Sequence, residues 1–401
     1  MRISTLLLSS AALLAGATAG LAADLPSKKA APVEYVRVCS QFGAGFFYIP
    51  GSDTCLKVSG RVRADYYYNQ PLVRADNTTT TRARGYLALD SYTATDMGPV
   101  RATTRVYVTK DSLAGASTTL DWAYIQFAGV TAGRIATSFF EFAPFGGVSF
   151  LGGGANGRGS DYGAINTLAY TYAANGFSAT LAMEDGTERR TGLNGLGSAS
   201  LGYAGHALPD VVGRLEYGGS WGVAALTAAV HQTRYALASD NTDYGFAIQG
   251  GLKINLPMLA AGDALFLQAA YADGASSYTG WASGAAKNGA GAALFTASDY
   301  EKNAAGNWVS VKTWSLVGGV EHYWVPTIST ALFAGYGHYD GADASDWSMF
   351  SVGANVKWTP VKNLLLAAET TYQRAVDTPV AVAAGTQKDI WNARLRVQRD
   401  F

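Results

Sequence analysis

The sequence predicts an all-β protein, a 16-stranded antiparallel transmembrane β-barrel, and three observations carry that prediction. The composition is unlike that of a soluble enzyme: 401 residues include 47 glycines, 23 tyrosines and 9 tryptophans, but only 15% are charged. From Leu56 onward the dominant pattern is alternation of apolar and polar residues, the period of a strand with two unlike faces. Beyond residue 22, no run of about 18 apolar residues could cross a bilayer as a helix.

Taken in chain order, Arg2 precedes an apolar run, Leu6 to Ala22, that ends in Gly20-Leu21-Ala22 and reads as a secretory signal peptide over residues 1–22. A membrane-anchoring helix is the alternative, weakened by Ser9, Ser10 and Thr18. The mature chain then starts at Ala23-Asp24, and residues 23–38, opening ADLPSKKAAPV, read as a flexible or extended periplasmic arm. Cys39 and Cys55 enclose fifteen residues in an exported chain, so a disulfide is expected over residues 39–55. Closing a loop of that size stabilises by roughly 3 kcal/mol in the chain-entropy picture. A zinc site fits less well, because zinc takes four ligands and no histidine is near.

Residues 56–401 form the barrel region. Its candidate strands lie near 56–68, 83–92, 99–109, 118–128, 131–138, 165–173, 177–185, 210–217, 223–234, 244–255, 264–273, 313–324, 328–339, 348–358, 363–374 and 389–401. An even total follows when both chain ends lie on the periplasmic side, and fourteen and eighteen are the neighbouring counts. In LKVSGRVRADYYY the even positions Leu56, Val58, Val62, Ala64 and Tyr66 oppose Lys57, Arg61, Arg63 and Asp65. PVRATTRVYVT sets Val100, Ala102, Val106 and Val108 against Arg101, Thr103, Arg105 and Tyr107; FSATLAME and MFSVGANVKW split the same way. Asn175-Gly176 marks a tight hairpin, since both residues accept positive φ. Short links alternate with long polar segments such as 69–81, 186–209 and 273–312, as in an up-and-down barrel.

A soluble β-sandwich alternates too, but its outward face would be the polar one. Here Trp324 and Trp358 each stand two residues before a proline at a strand end, where an interfacial aromatic girdle would place them. Without Arg2 the 30 basic residues become 29 against 30 acidic, so no net field points to nucleic acid as a partner. No metal or cofactor site and no catalytic residue emerges. His206, His231, His322 and His338 are scattered, and GGGANGRGS has Arg158 and Gly159 where a phosphate loop needs Lys and Ser or Thr.

The stretch from Ala23 to Tyr68 resembles the start of the alphaproteobacterial general porin family, the group of the Brucella and rhizobial major porins. The resemblance lies in the ADLP start, both cysteines, FGAGFFYIPG between them and KVSGRVRADY after them. FAGVTAGRIATSFFEF, Phe127 to Phe142, resembles the family segment leading out of the fifth strand, and the aromatic C-terminus extends the likeness over nearly the whole chain. The resemblance implies a homotrimer in the bacterial outer membrane, bounded by lipid and lipopolysaccharide, that passes small hydrophilic solutes and ions by diffusion. It also implies that the segment after strand five, about 138–162, folds inward as a constriction loop. Its FFEFAPFGGVSFLGGGANGRGSDYG is glycine-rich, weakly charged and too apolar for an exposed loop.

Selection in such a pore rests on width and fixed charge where few waters screen it. Candidate pore-lining positive residues are Arg61, Arg63, Arg84, Arg101, Arg105, Arg394 and Arg396, gathered into one wall if the last strand pairs with the first. Glu141 and Asp161, on the inward loop, would face them; pairing of the arginines with Asp65 and Asp90 is the plainer alternative. A substrate-selective sugar channel would show an aromatic ladder, whereas Tyr67, Tyr86 and Tyr107 are interleaved with arginine. A cell-wall tether is a further expectation, because related outer-membrane proteins beginning Ala-Asp can be joined to peptidoglycan through that alanine, here Ala23. In WNARLRVQRDF the residues Trp391, Ala393, Leu395, Val397 and Phe401 face lipid, while Arg399 breaks rank and should snorkel to headgroups. Phe401 resembles the signal read by the barrel-assembly machinery.

Overall fold

In a computed structural model the alternating segments close on themselves. The structure describes residues 37–71, 74–142, 148–149, 163–193, 202–236, 242–281, 286–287, 293–295, 297–377 and 389–401. The expected signal peptide, the arm up to residue 36 with Ala23, and Asp161 lie outside these residues.

The wall consists of β1 (Thr54–Asn69), β2 (Thr79–Thr93), β3 (Val100–Asp111), β4 (Ala116–Phe127), β5 (Val130–Ile135), β6 (Ile165–Ala174), β7 (Phe177–Glu184) and β8 (Asp210–Gly219). It continues with β9 (Gly222–Arg234), β10 (Thr242–Asn255), β11 (Ala264–Asp273), β12 (Lys312–Val325), β13 (Ile328–Asp340), β14 (Trp347–Val361), β15 (Leu364–Asp377) and β16 (Asp389–Asp400). Each strand pairs antiparallel with the next, and β16 closes on β1 with Arg61 opposite Asp400 and Tyr67 opposite Arg394. Closure leaves no unpaired edge in a solvent that cannot hydrogen-bond it.

Alternation sets the two surfaces. Val58, Leu87, Val108, Leu181, Leu226, Leu316 and Val352 are exposed on the outside, and Trp324 and Trp358 stand exposed at the rim of the short turns. Asn175 and Gly176 take φ of +51° and +80°, as the tight hairpin requires. Beside this rim the Cys39–Cys55 disulfide forms with Cα atoms 6.0 Å apart. Phe42 stacks on Tyr92 at 4.8 Å, Phe46 meets the same ring edge-on, and the short strand Phe47–Tyr48 pairs with the start of β1.

One strand end differs from the sequence reading. The fifth strand ends at Ile135 instead of reaching 138, because Ser138 Oγ and the Phe139 N–H both donate to Glu184 (2.6 and 2.8 Å) and draw the chain off the wall. Arg399, exposed at the rim of the short turns, donates to the Lys362 carbonyl in the β14–β15 turn. The last residue, Phe401, exchanges both backbone hydrogen bonds with Gly60 (2.9 and 3.0 Å) and lays its ring where a Cβ on Gly60 would overlap it.

Candidate functional site in the barrel lumen

The inward faces of the strands fall into two unlike regions. On β16, β1, β2, β3 and β4 they carry long charged and aromatic side chains, several of them partly wet: the side chains of Arg61, Arg82 and Arg101 are 32, 29 and 29% exposed, while the Arg396–Asp65 pair between them is buried. On β6 to β13 they carry mostly small or neutral residues covered by chain, with a few charged ones such as Glu184, Asp210 and Arg214 tied to the covering segments, so that Thr227, His231, Gln249 and Thr313 are at most 2% exposed.

Covering comes from two directions. Phe140, from the segment after β5, meets Tyr278, from the segment after β11, edge-on at 4.6 Å. Both pack on one small residue from each of six strands: Ala169, Ala182, Val212, Ala229, Ala247 and Ala272. Phe142 continues over Gly251, where any side chain would overlap its ring, and joins Val148 against Phe266, Val317 and Phe333. Backbone polarity is satisfied on the way, as burial demands. Arg214 donates to the Glu141 carbonyl at 2.7 Å and Thr227 to that of Phe140 at 2.9 Å. Farther along, Asn355 donates to the Val148 carbonyl at 2.7 Å, and Ser149 donates to Glu369 at 2.6 Å.

A buried polar network closes the same region toward the long loops. Asp210 accepts from Tyr278 at 2.6 Å and lies 2.9 Å from His231 Nδ1. Asp299 accepts from the Tyr203 hydroxyl and from the Ser276 and Thr191 amides at 2.7 and 3.2 Å. Burial pushes the Tyr203 and Tyr278 phenols well above the ordinary tyrosine range, which keeps both as O–H donors, and it also pushes the Asp299 carboxyl up.

The open region holds all seven arginines singled out from the sequence, and cross-strand register decides their partners. Arg61 grips Asp400 with two nitrogens (2.6 and 3.1 Å). Arg396 bonds Asp65 at 2.7 Å, with Arg63 3.6 Å from the same carboxylate. Arg101 meets Asp90 at 2.8 Å, and Arg105 meets Asp121 at 2.6 Å while stacking on Trp122. Arg394 lies over the Tyr67 ring at 4.5 Å, opposite Glu369 in register. Arg84 bonds Thr109 at 2.6 Å and covers Tyr107 at 4.2 Å. Glu141, expected to face this wall, is instead buried on the filled side, bonded to Arg189 at 3.0 Å.

Sequence reading passed over Arg82, which pairs with Asp111 at 2.6 and 2.8 Å. Its parity with Arg84 in TTTRARGYLALD was the available signal. Asp121 had none, because a bulge between Arg105 and Val106 is what turns it inward. Glu369 and Arg214 were missed since only the folded-in segment gives them a role.

The family described as Porin subfamily matches residues 24–394. The chain belongs to this porin family. Among curated relatives, the porin Omp2b of Brucella neotomae and that of Brucella abortus (strain 2308) are each 28% identical to it over the full length of both chains. The outer membrane channel DcaP of Acinetobacter baumannii shares its fold with a TM-score of 0.67 at 17% identity, over 88% of this porin and 99% of that chain. An anion-selective porin from Comamonas acidovorans follows with a TM-score of 0.55 at 15% identity, over 87 and 100% of the two chains. The porin is a channel protein of the bacterial outer membrane that passes solutes by passive diffusion.

Proposed function

We propose that this porin is a general diffusion pore for small hydrophilic solutes and ions, in which solutes move along the β16–β4 wall and its arginines select among them by charge. The observation that carries this reading is the contrast in inward exposure: the wet surface is the arginine-bearing one, and a fixed charge acts on a passing ion only where that ion can approach. The segment after β5, about 138–162, is the proposed constriction; support comes from its described residues, Phe140 and Phe142 packed on the opposite half and Val148 and Ser149 bonded to Asn355 and Glu369. Loosening it would widen the path.

The working form is a homotrimer. The outward faces of β3 to β5 set Ala102, Thr104, Ala123 and Ala132 among exposed Val108, Leu120 and Ile125, an apolar surface with room for another wall to approach closely. OmpT of Vibrio cholerae, which has a similar fold, was solved in a trimer form.

Neutralising Arg101 and Arg105 together strands Asp90 and Asp121, so reversal potentials across planar bilayers in a salt gradient should shift toward cations. An unchanged reversal potential would remove the selecting role from the wall.

A further inference from the structure

The arginines of the open half are not equal, and their cross-strand rows show which matter. Toward the long loops one row reads Asp111, Arg82, Asp65 and Arg396 across β3, β2, β1 and β16, two charges of each sign. Toward the short turns another reads Tyr107, Tyr86, Arg61 and Asp400, one of each. Between them lies Thr109, Arg84, Arg63 and Gln398, two arginines with no acid. Like charges directly opposite on paired strands repel, so something must recompense the arrangement.

Part of that support is protein. Both guanidiniums donate to one acceptor, the Tyr86 hydroxyl: Arg63 through Nη2 and Arg84 through Nη1 at 3.2 Å. Arg84 also donates Nε to Thr109 at 2.6 Å. Among the described residues no carboxylate lies within ion-pair distance of Arg84, and Arg63 has only a share of Asp65 at 3.6 Å. Arg84 Nη2 and Arg63 Nη1 keep N–H groups that no described protein atom takes. A phenol that already accepts two N–H bonds has its own O–H left to give, and it gives that best to an anionic oxygen.

We propose that Arg63, Arg84 and Tyr86 form an oxyanion-docking site, near the middle of β1, where a carboxylate or phosphate group of a passing solute rests during permeation. Two planar guanidinium forks and one hydroxyl donor match the spread lone pairs of such a group, and a spherical chloride gains less from them. The inference rests on the reading that solutes travel along the β16–β4 wall and adds a saturable step to it. The neighbouring arginines, matched by Asp111, Asp65 and Asp400, hold the row in place.

The test uses the full-length porin in planar bilayers, with chloride current recorded as inorganic phosphate is added at constant ionic strength. Phosphate should reduce the current saturably. Arg84→Gln should raise the half-blocking concentration about tenfold, the loss of charge-assisted bonds from one guanidinium. Arg84→Lys, which keeps the charge and loses the fork, should raise it by less, and Tyr86→Phe should raise it as well. Heat-modifiable migration of Arg84→Gln and Arg84→Lys like that of the wild type, with an unchanged denaturation midpoint in detergent, establishes that the barrel is folded. Wild-type current that falls without saturation, or a half-blocking concentration that Arg84→Gln leaves in place, would overturn the docking site. If reversal potentials still move on neutralising Arg101 and Arg105 in that case, the charge-selecting wall stands without it; if neither moves, the wall falls too.

Discussion

The two halves of the lumen are built from strands with the same period, the same pairing and the same outward chemistry, yet one is filled and the other open. The difference lies in inward side-chain length. Alanine, threonine and glycine on β6 to β13 leave a floor low enough for Phe140, Phe142 and Tyr278 to lie on. Arginine, tyrosine and aspartate on β16 to β4 stand tall and cannot be buried cheaply, so chain laid over them would have to pay for desolvating each charge. Interior filling is thus decided position by position, by what the wall strands put inward, as much as by the segments that do the filling.

That contrast predicts opposite responses to substitution. Phe140→Ala removes a fully buried ring from the filled half and should cost about 3–5 kcal/mol, read as a lower denaturation midpoint in detergent, while the reversal potential moves far less than on neutralising Arg101 and Arg105. A selectivity change with native stability would invert the assignment of the halves. Gly251→Val places a side chain into Phe142 and should cost about 1–3 kcal/mol by overpacking. Because it lifts the folded-in segment, its single-channel conductance should differ from wild type; an identical conductance would show that this part of the segment does not set the path. Arg82→Gln breaks a bidentate pair in the open half whose side chains are 29 and 37% exposed, so stability should change by only about 0–1 kcal/mol. Its signature is a shift toward cations, since Asp111 is left uncompensated, and a large loss of stability instead would mean the open half is a packed one.

Much of this was legible in the sequence, for a physical reason. Period two is a local property, so the span 264–273 and the Asn175-Gly176 turn could be read directly, as could the inward parity of Arg61, Arg63, Arg101 and Arg105. Partnership is not local. Arg61 finds Asp400 because the first and last strands close in one particular register, and Arg105 finds Asp121 through a bulge that no alternation announces. Glu141 misled for the same reason: its sign suited the arginine wall, but Arg189 on the far side reaches it once Ser138 and Phe139 are tied to Glu184. Reading inward residue size along β6 to β11 would have flagged the filled half, since Ala169, Ala182, Ala229, Ala247 and Ala272 sit where the other half carries charge.

The filled half has an electrical consequence. A water-filled tube of uniform lining would let counter-ions surround a charge from every side, and at physiological salt its influence would fade over about 8 Å. Here the other half of the barrel is a packed layer of aromatic and small side chains enclosing paired polar groups, a medium that polarises less than water. Field lines from the arginines are therefore confined to the aqueous strip instead of spreading through the barrel, as between a charged plate and an insulating backing. Phe140, Phe142 and Tyr278 touch no ion, yet by acting as that insulator they strengthen what Arg63 and Arg84 can do to one.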